Sequence, residues 1–370
     1  MGWMRAWCLA VTLSVVGAAD VRTVRVPGAG VQPQVVASGG VVHLVYLDGD
    51  PARADVRYAR STDDARTFSS PVRVNSEAGS AVAVGTIRGA HLAAGRGGRV
   101  HVAWNGNGQA GMSYARSDGK GGFEPQRNLM RKTSGLDGGG SVAADAEGHV
   151  YVAWHGRAEG AVKGETGRRV WVARSDDDGQ TFAAEQPADE PLGGACACCG
   201  LRAFADPAGP VYLLYRSAGE EIHRDIHLLV SRDLGKSFRG GLVHPWQINA
   251  CPMSSMTLSA ARGDLLAAWE TAGQVYWGAV DANRTAVASP IAAPGEGKGR
   301  KHPVVARNQQ GETILVWTEG TGWQKGGGLA WQIYDRAGQP AGAKGSAPGV
   351  PVWGLAAVLA RADGGFTIVY

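Results

Sequence analysis

The sequence lacks several features that would assign it to common functional classes. No hydrophobic run after residue 19 is long enough to cross a bilayer. There is no tract of lysines and arginines, and the formal net charge is only +4. Because nucleic-acid binding needs a concentrated basic surface, we expect no nucleic-acid partner and no membrane insertion. No segment has the composition of a linker between domains.

The one long apolar run lies at the start of the chain. Met1–Ala19 has a basic end at Arg5, an apolar stretch over Ala6–Val16 and small residues at its exit. This pattern is typical of a secretory signal peptide, so we predict a secreted or periplasmic protein with one domain over residues 20–370. Cys8 would leave with the peptide, and four cysteines would remain: Cys196, Cys198, Cys199 and Cys251.

A repeat runs through the rest of the chain, and the whole sequence is rich in glycine (56 residues) and tryptophan (12 residues). A glycine is followed six residues later by Trp or Tyr, which closes a short apolar strand. The seven copies are Gly40 to Tyr46, Gly98 to Trp104, Gly148 to Trp154, Gly209 to Tyr215, Gly263 to Trp269, Gly311 to Trp317 and Gly364 to Tyr370. Repeats of this length in an all-strand sequence predict the blades of a β-propeller.

The third repeat shows the expected order within a blade. Ser141–Ala144 reads as the innermost strand A, His149–Trp154 as strand B and Arg169–Arg174 as strand C, with strand D after Phe182. We therefore predict an all-β propeller of four-stranded antiparallel blades. Seven blades are favoured over six, and an open sandwich or barrel is the alternative architecture. The last repeat stops at strand B, so Thr23–Pro27 would supply an outer strand and close the ring.

Turns between strands C and D carry a second motif. Ser175–Phe182 and Ser231–Phe238 read Ser-x-Asp-x-Gly-x-Thr/Ser-Phe, Ser61–Phe68 has Ala at the glycine position, and Ser117–Phe123 is a shortened form. The Asp accepts backbone N–H groups of its own turn and the Phe is buried beneath it, so these residues are structural. The chain therefore resembles the Asp-box propellers of the sialidase superfamily, which implies glycan binding or glycan hydrolysis.

The resemblance also implies where catalytic groups should lie. Sialidases carry an arginine of a Phe-Arg-Ile-Pro motif at the first strand A, where Gly30–Pro33 of this chain keeps only the proline. Such a site needs arginines for the substrate carboxylate and carboxylates for acid/base work. The candidates are Arg224, Asp225, Glu221 and Arg88, with Arg157, Arg202, Arg216 and Glu220 as further groups of the right type.

The loops that enter strand A should lie together around the axis, on the face that also carries the B–C loops. Counting back ten residues from each repeat glycine gives a ring of Gly30, Arg88, Gly138, Cys199, Met253, Lys301 and Gly354. Cys196–Cys199 and Cys251 would therefore meet. Sulfur ligands favour copper, especially Cu(I). The candidate ligands are Cys196, Cys198, Cys199, Cys251, Met253, Met256 and His302, with His244 and His91 in addition.

Simpler interpretations of the cysteines stay open. A disulfide between Cys251 and one of the other three would link two blades, and the remaining pair would form a second bridge or serve thiol redox chemistry. The stretch with Cys-x-Cys-Cys, Arg224–Ile226, Trp246–Ile248 and Cys251-Pro252 resembles that of exported bacterial sialidase-like proteins without an established reaction. Two hypotheses follow: a glycan-binding or glycan-cleaving propeller, or a periplasmic soft-metal or redox protein.

Overall fold

Each repeat folds as a small antiparallel sheet whose first turn needs glycine. All seven repeat glycines have a positive φ, for example 97° at Gly148 and 112° at Gly209, which residues with a Cβ rarely adopt. The aromatic residue six positions later is buried in every repeat, and Trp154 is fully buried. The turn thus starts strand B, and the aromatic side chain fixes that strand in the core.

The computed structural model describes residues 19–85, 87–108, 111–188, 194–261, 263–281, 283 and 285–370. Residues 1–18, which hold nearly all of the predicted signal peptide, lie outside this set. One short 3-10 helix spans Arg96–Gly98, and in the described ranges no helix combines the length and the hydropathy needed to cross a membrane.

The strands form seven sheets, each of which is one blade. The first strand, β1, spans Val21–Val24. The first three complete blades consist of β2 (Val31–Ser38), β3 (Val41–Asp48), β4 (Asp55–Ser61) and β5 (Val72–Arg73); of β6 (His91–Ala94), β7 (Val100–Asn105), β8 (Met112–Arg116) and β9 (Arg127–Asn128); and of β10 (Thr133–Ser134), β11 (Ser141–Ala144), β12 (Val150–Ala158), β13 (Arg169–Ser175) and β14 (Gln186–Pro187).

The next three blades have the same order. They consist of β15 (Arg202–Ala205), β16 (Val211–Arg216), β17 (Ile226–Ser231) and β18 (Arg239–His244); of β19 (Thr257–Ala261), β20 (Asp264–Thr271), β21 (Gln274–Asp281) and β22 (Ala286–Ala292); and of β23 (Arg300–Arg307), β24 (Thr313–Glu319), β25 (Gly327–Tyr334) and β26 (Pro340–Val350). The seventh blade contains β27 (Ala357–Ala360), β28 (Phe366–Val369) and β1. The prediction of an all-β, seven-bladed propeller is confirmed.

The ring is closed by pairing between strands from the two ends of the chain. Strand β1 pairs with β28, as Val21 lies opposite Phe366 and Val24 opposite Val369. The pairing is parallel and the strand starts two residues earlier than predicted, so this blade has three strands rather than four. Closure covers the free edge of β28.

The innermost strands line a central channel. Strands β2, β6, β11, β15, β19, β23 and β27 contact one another in this order, and β27 contacts β2 again. They enclose a cavity of about 390 Å³ that is lined largely by valine, alanine and leucine side chains. Buried aliphatic and aromatic clusters fill the spaces between neighbouring blades and form the core.

Candidate functional site

The two faces of the propeller are defined by different connections. The Asp-box face carries the A–B turns and the C–D turns, and the B–C face carries the B–C loops and the segments that enter each innermost strand. On the Asp-box face, Asp177 accepts the backbone N–H of Thr181 at 2.8 Å and the hydroxyl groups of Ser175 and Thr181. Phe182 is buried against Tyr114 of the preceding blade. These contacts fit a structural role.

The cysteines converge on the B–C face. Cys196–Cys199 precede β15, Cys251 precedes β19, and a disulfide joins Cys198 to Cys251 across 53 residues of sequence. The Cys196 Sγ lies 3.2 Å from the Cys199 Sγ and 3.6 Å from the Cys198 Sγ. The sequence-based expectation that these distant segments meet is thus met in the structure. Cys196, Cys198, Cys199 and Cys251 together form a cysteine cluster.

The cluster has a buried side and an exposed side. Cys196 and Cys199 are free thiols with no exposed surface, Cys198 is partly buried, and Cys251 is exposed. The disulfide thus links a partly buried cysteine beside the dithiol to a cysteine on the protein surface.

Arginines surround the sulfurs. Arg224, which is buried, pairs with Glu165 from the B–C loop of the third blade, and Glu165 also accepts the backbone N–H of Ala197 at 2.8 Å. Arg216 is fully buried, lies 3.3 Å from Glu270 and donates to the Arg224 carbonyl at 2.6 Å. The cysteine segment is thus bonded to Glu165 of the third blade and, through the Cys196 N–H, to the Arg216 carbonyl of the fourth.

The two free thiols differ in acidity. Burial raises the pKa of Cys199, but a hydrogen bond from the Cys196 thiol and the positive charge of Arg216 outweigh it and lower the pKa to about 7. The same hydrogen bond and burial raise the pKa of Cys196. The arrangement favours one thiolate stabilised by a neighbouring thiol, a typical feature of a reactive dithiol.

The other predicted metal ligands have surroundings of several kinds. Met256 is buried among apolar side chains of the fourth and fifth blades, which is a core position. His302 is buried beside Ser255, 3.2 Å from its hydroxyl, and burial followed by the charge of Lys301 lowers its pKa to about 3. Met253 is partly buried with a φ of 49°. His244 accepts a hydrogen bond from Trp269 at 2.9 Å.

His91 and Arg202 meet at the mouth of the channel. The Nη1 of Arg202 lies 2.9 Å from the Nδ1 of His91, although they belong to the fourth and second blades. Burial and the neighbouring arginine hold the pKa of His91 well below its usual value, so this ring accepts a hydrogen bond rather than carrying a charge. This contact occupies the Nδ1 of His91, and His91 does not belong to the compact group formed by Cys196, Cys198 and Cys199.

The four catalytic candidates occupy separate environments. Arg224 is held by Glu165, and the Asp225 carboxylate accepts the backbone N–H of Trp246 at 2.7 Å. Glu221 is exposed at a loop tip with a φ of 61°. Arg88 lies in a pocket of the second and third blades. Val31 stands at the position of the missing sialidase arginine, and the next residue, Gln32, is buried and donates to the Ala83 carbonyl at 2.5 Å.

The pocket of the second and third blades is polar and has a volume of about 640 Å³. Arg88 donates to the Asp137 carbonyl at 2.7 Å and pairs with the Asp137 carboxylate. Asn105 is 3% exposed and donates to the Gly138 carbonyl at 2.8 Å, while its Oδ1 has no partner among the described residues. This polar pocket is lined by Val82, Arg88, Asn105, Gly106, Gly108, Gly111, Asn128, Met130, Thr133, Ser134, Gly135, Leu136, Asp137 and Arg157.

Sequence reasoning missed Asn105, Asp137 and Glu165. Each lies at the end of a strand or in a loop on the B–C face, and none is part of a motif. Glu165 belongs to a charged loop, whereas its pairing with Arg224, 59 residues away, depends on how two blades pack. The only usable signal was position on the B–C face, which is shared by many surface residues.

Comparison with known proteins supports the fold. No family model matches the chain, and no curated protein sequence matches it. Among solved structures, a protein of unknown function from Dyadobacter fermentans DSM 18053 is similar, with a TM-score of 0.53, 15% identity, and coverage of 89% of this chain and 97% of that one.

Sialidases are among the similar structures. Trypanosoma rangeli sialidase in complex with the inhibitor DANA has a TM-score of 0.52 and 12% identity over 81% of this chain and 54% of its own. NanB sialidase from Streptococcus pneumoniae has a TM-score of 0.48 and 11% identity over 92% of this chain and 64% of its own. This chain therefore spans about half to two thirds of those sialidases. It has a sialidase-like β-propeller fold, and identities this low establish the fold alone.

Proposed function

We propose that this propeller is an exported protein that binds a carboxylate-bearing saccharide in the polar pocket of its second and third blades. The observation that carries the proposal is the pairing of a free guanidinium with an unsatisfied buried amide oxygen in one concave site. Arg157 lines the pocket, and its guanidinium makes no hydrogen bond or ion pair with any described residue, although its backbone pairs with Ser134. The Asn105 Oδ1 is buried there without a donor.

The chemistry of the pocket suits an acidic sugar. An arginine guanidinium binds a carboxylate through two parallel hydrogen bonds, and an amide oxygen accepts from a hydroxyl group. Asp137 neutralises Arg88, so Arg157 is the arginine that keeps a free charge for a ligand. A buried acceptor without a partner costs free energy, which a ligand hydroxyl would recover.

The size and position of the pocket agree with this assignment. Small-molecule sites occupy roughly 300–1,000 Å³, and this pocket has about 640 Å³. Several wall positions are glycines, including Gly108 and Gly111, with φ values of 60° and 78°. At Gly108 no other group lies within 4 Å of the place a Cβ would take, so a ligand ring can approach the backbone there, whereas the Asn128 side chain covers Gly111.

Binding is favoured over hydrolysis. Acid/base catalysis needs carboxylates within hydrogen-bond reach of the scissile bond. Asp137 lines the polar pocket but is paired with Arg88, and neither Asp225 nor Glu221 lines it. Export is supported by the signal-peptide pattern of Met1–Ala19.

Calorimetric titration with N-acetylneuraminic acid and with glucuronic acid tests the proposal, with glucose as the neutral control. We expect at least one acid to bind and glucose to bind far more weakly. Arg157→Ala should weaken binding about 10–100-fold, since it removes hydrogen bonds to a charged group, and Asn105→Ala should weaken it about fivefold. Arg66→Ala, an exposed arginine on the Asp-box face, is the matched control.

Two results would overturn the proposal. One is that neither acid binds to the wild-type protein. The other is that Arg157→Ala binds as tightly as the Arg66→Ala control. Turnover of a fluorogenic sialoside that disappears in Asp225→Asn would replace binding by hydrolysis at a different part of the B–C face.

A further inference from the structure

No residue of the cysteine cluster lines the polar pocket, although the cysteine segment packs against Gly138, next to the pocket residue Asp137. Three of its sulfurs, from Cys196, Cys198 and Cys199, all lie within 4.8 Å of one another. In the described part of the chain, no imidazole and no carboxylate belongs to this group. A single ion bound among these three residues would therefore be coordinated by sulfur alone, as far as the members of this group are concerned.

The chemistry of the donors selects the class of metal ion. Thiolates are soft ligands and favour Cu(I) or zinc, while calcium and magnesium prefer oxygen. Structural zinc sites are almost always tetrahedral and closed by four ligands. Here three sulfurs form the compact group and Cys251 lies on the exposed side, bonded to Cys198. A three-sulfur site suits Cu(I), which does not need a fourth ligand.

The surroundings of the group can balance its negative charge. Three thiolates and one Cu(I) ion carry a net charge of −2. Buried Arg216 and Arg224 lie beside the sulfurs and interact electrostatically with Cys199 and Cys196. A buried anionic centre is expensive unless it is paired, and two arginines supply the pairing. Ser254 adds a backbone N–H hydrogen bond to Cys199.

We propose that the thiolates of Cys196, Cys198 and Cys199 form a Cu(I) site. The Cys198–Cys251 disulfide prevents tight Cu(I) binding, because Cys198 is then no longer available as a thiolate ligand. The exposed position of Cys251 makes the disulfide accessible to a thiol reductant. The reductant gives two electrons and two protons, the bond between the Cys198 and Cys251 sulfurs breaks, and the reductant becomes a disulfide. Cu(I) then displaces thiol protons to solvent without changing its oxidation state.

Anaerobic titration with Cu(I), in competition with a chromophoric Cu(I) chelator, tests the proposal. All proteins carry Cys8→Ser, so that only the cysteine cluster contributes thiols. The reduced protein should bind one Cu(I) per chain. The disulfide form should bind at least about 100-fold more weakly, since the loss of a ligand exceeds the 10–100-fold cost of losing an outer-shell partner. This comparison involves no further substitution, so it stands even where a cysteine variant misfolds.

Single variants resolve the ligand set. Cys196→Ser and Cys199→Ser should lose tight Cu(I) binding, and Cys251→Ser should bind Cu(I) without prior reduction because Cys198 is then free. His302→Gln, one blade away, is the fold-matched control and should behave as wild type. Near-ultraviolet circular dichroism verifies that each variant keeps its tertiary packing.

Three results would overturn the proposal. One is that the reduced protein binds Cu(I) no more tightly than its disulfide form. Another is stoichiometric zinc that is lost in Cys251→Ser, which would indicate a four-sulfur structural site instead. The third is a Cys196–Cys199 disulfide in place of Cys198–Cys251 after mild oxidation, without Cu(I) binding, which would indicate a dithiol–disulfide relay. Saccharide binding is measured separately, by the titrations with acidic sugars.

Discussion

The Asp-box face and the B–C face consist of the same seven repeats, yet their polar groups are satisfied in different ways. On the Asp-box face, Asp177 finds its partners within four residues, at Ser175 and Thr181. On the B–C face, Arg224 pairs with Glu165 and Cys198 with Cys251, which lie more than fifty residues apart. The Asp-box face also has long-range contacts, such as the pair of Arg99 and Asp178, but its box closes through local contacts, whereas the sites of the B–C face are assembled from distant segments.

The largest effect is expected for a residue that every blade repeats. Trp154 is fully buried and donates to the Thr133 hydroxyl at 3.1 Å. Trp154→Ala should lower the free energy of unfolding by about 3–5 kcal/mol, as large-to-small core substitutions do. Trp323→Ala, at a residue that is 56% exposed, should stay within about 0.5 kcal/mol. Urea unfolding measures both, and equal losses would contradict the scaffold role of the repeat.

A smaller effect is expected for the unrepeated link between two blades. Cys251→Ser removes the disulfide to Cys198 and should lower the free energy of unfolding by about 2–4 kcal/mol. A thiol reductant should lower the stability of the wild type and leave that of Cys251→Ser unchanged. If the reductant destabilises both proteins equally, its target is not this disulfide and the contrast between the faces weakens.

A single Asp box should contribute less. Asp177→Ala removes an acceptor of local hydrogen bonds and should cost about 1 kcal/mol. Asp176→Ala changes the exposed neighbour, whose carboxylate only pairs with Arg174, and should cost less. Neither substitution should alter Cu(I) or saccharide binding at the opposite face. A change in either affinity would show that the two faces are coupled.

The smallest effect is the acid sensitivity of the same box. Burial alone would raise the pKa of Asp177, but hydrogen bonds from Thr181 and Ser175 lower it to about 2. Since the unfolded value is roughly 3.9, the ionised form stabilises the fold above about pH 4, and this contribution is lost as the pH falls toward 2. The stability gap between wild type and Asp177→Ala should narrow over that range. If the difference in stability between the two proteins instead grows on acidification, the pKa of Asp177 is not lowered in the folded state.

The fold could be predicted because each signal within the repeat has a local physical cause. The glycine at each A–B turn needs a positive φ, the aromatic residue needs burial, and the box closes on itself, so each is visible in a short window of sequence. Convergence of Cys196–Cys199 with Cys251 followed from equivalent positions in adjacent blades. The closing strand was predicted in place, whereas its parallel pairing with Phe366–Val369 depends on how the chain ends meet.

The details of the sites could not be predicted. The spacing of the cysteines allowed Cys251 to pair with any of three partners, and the choice of Cys198 depends on the path of the loop. Met256 is equally suited to ligation and to packing, and burial among apolar neighbours decides for packing. Asn105 and Glu165 lie in loops without a motif, so only the packing of neighbouring blades assigns them a role.

The most direct measurement of the central claim is a disulfide and thiol map of the folded protein by mass spectrometry. We predict that Cys198 is linked to Cys251, and that Cys196 and Cys199 are alkylated only after unfolding. Cys251 found as a free thiol, linked to none of the other three, would contradict the meeting of the fourth and fifth blades on the B–C face.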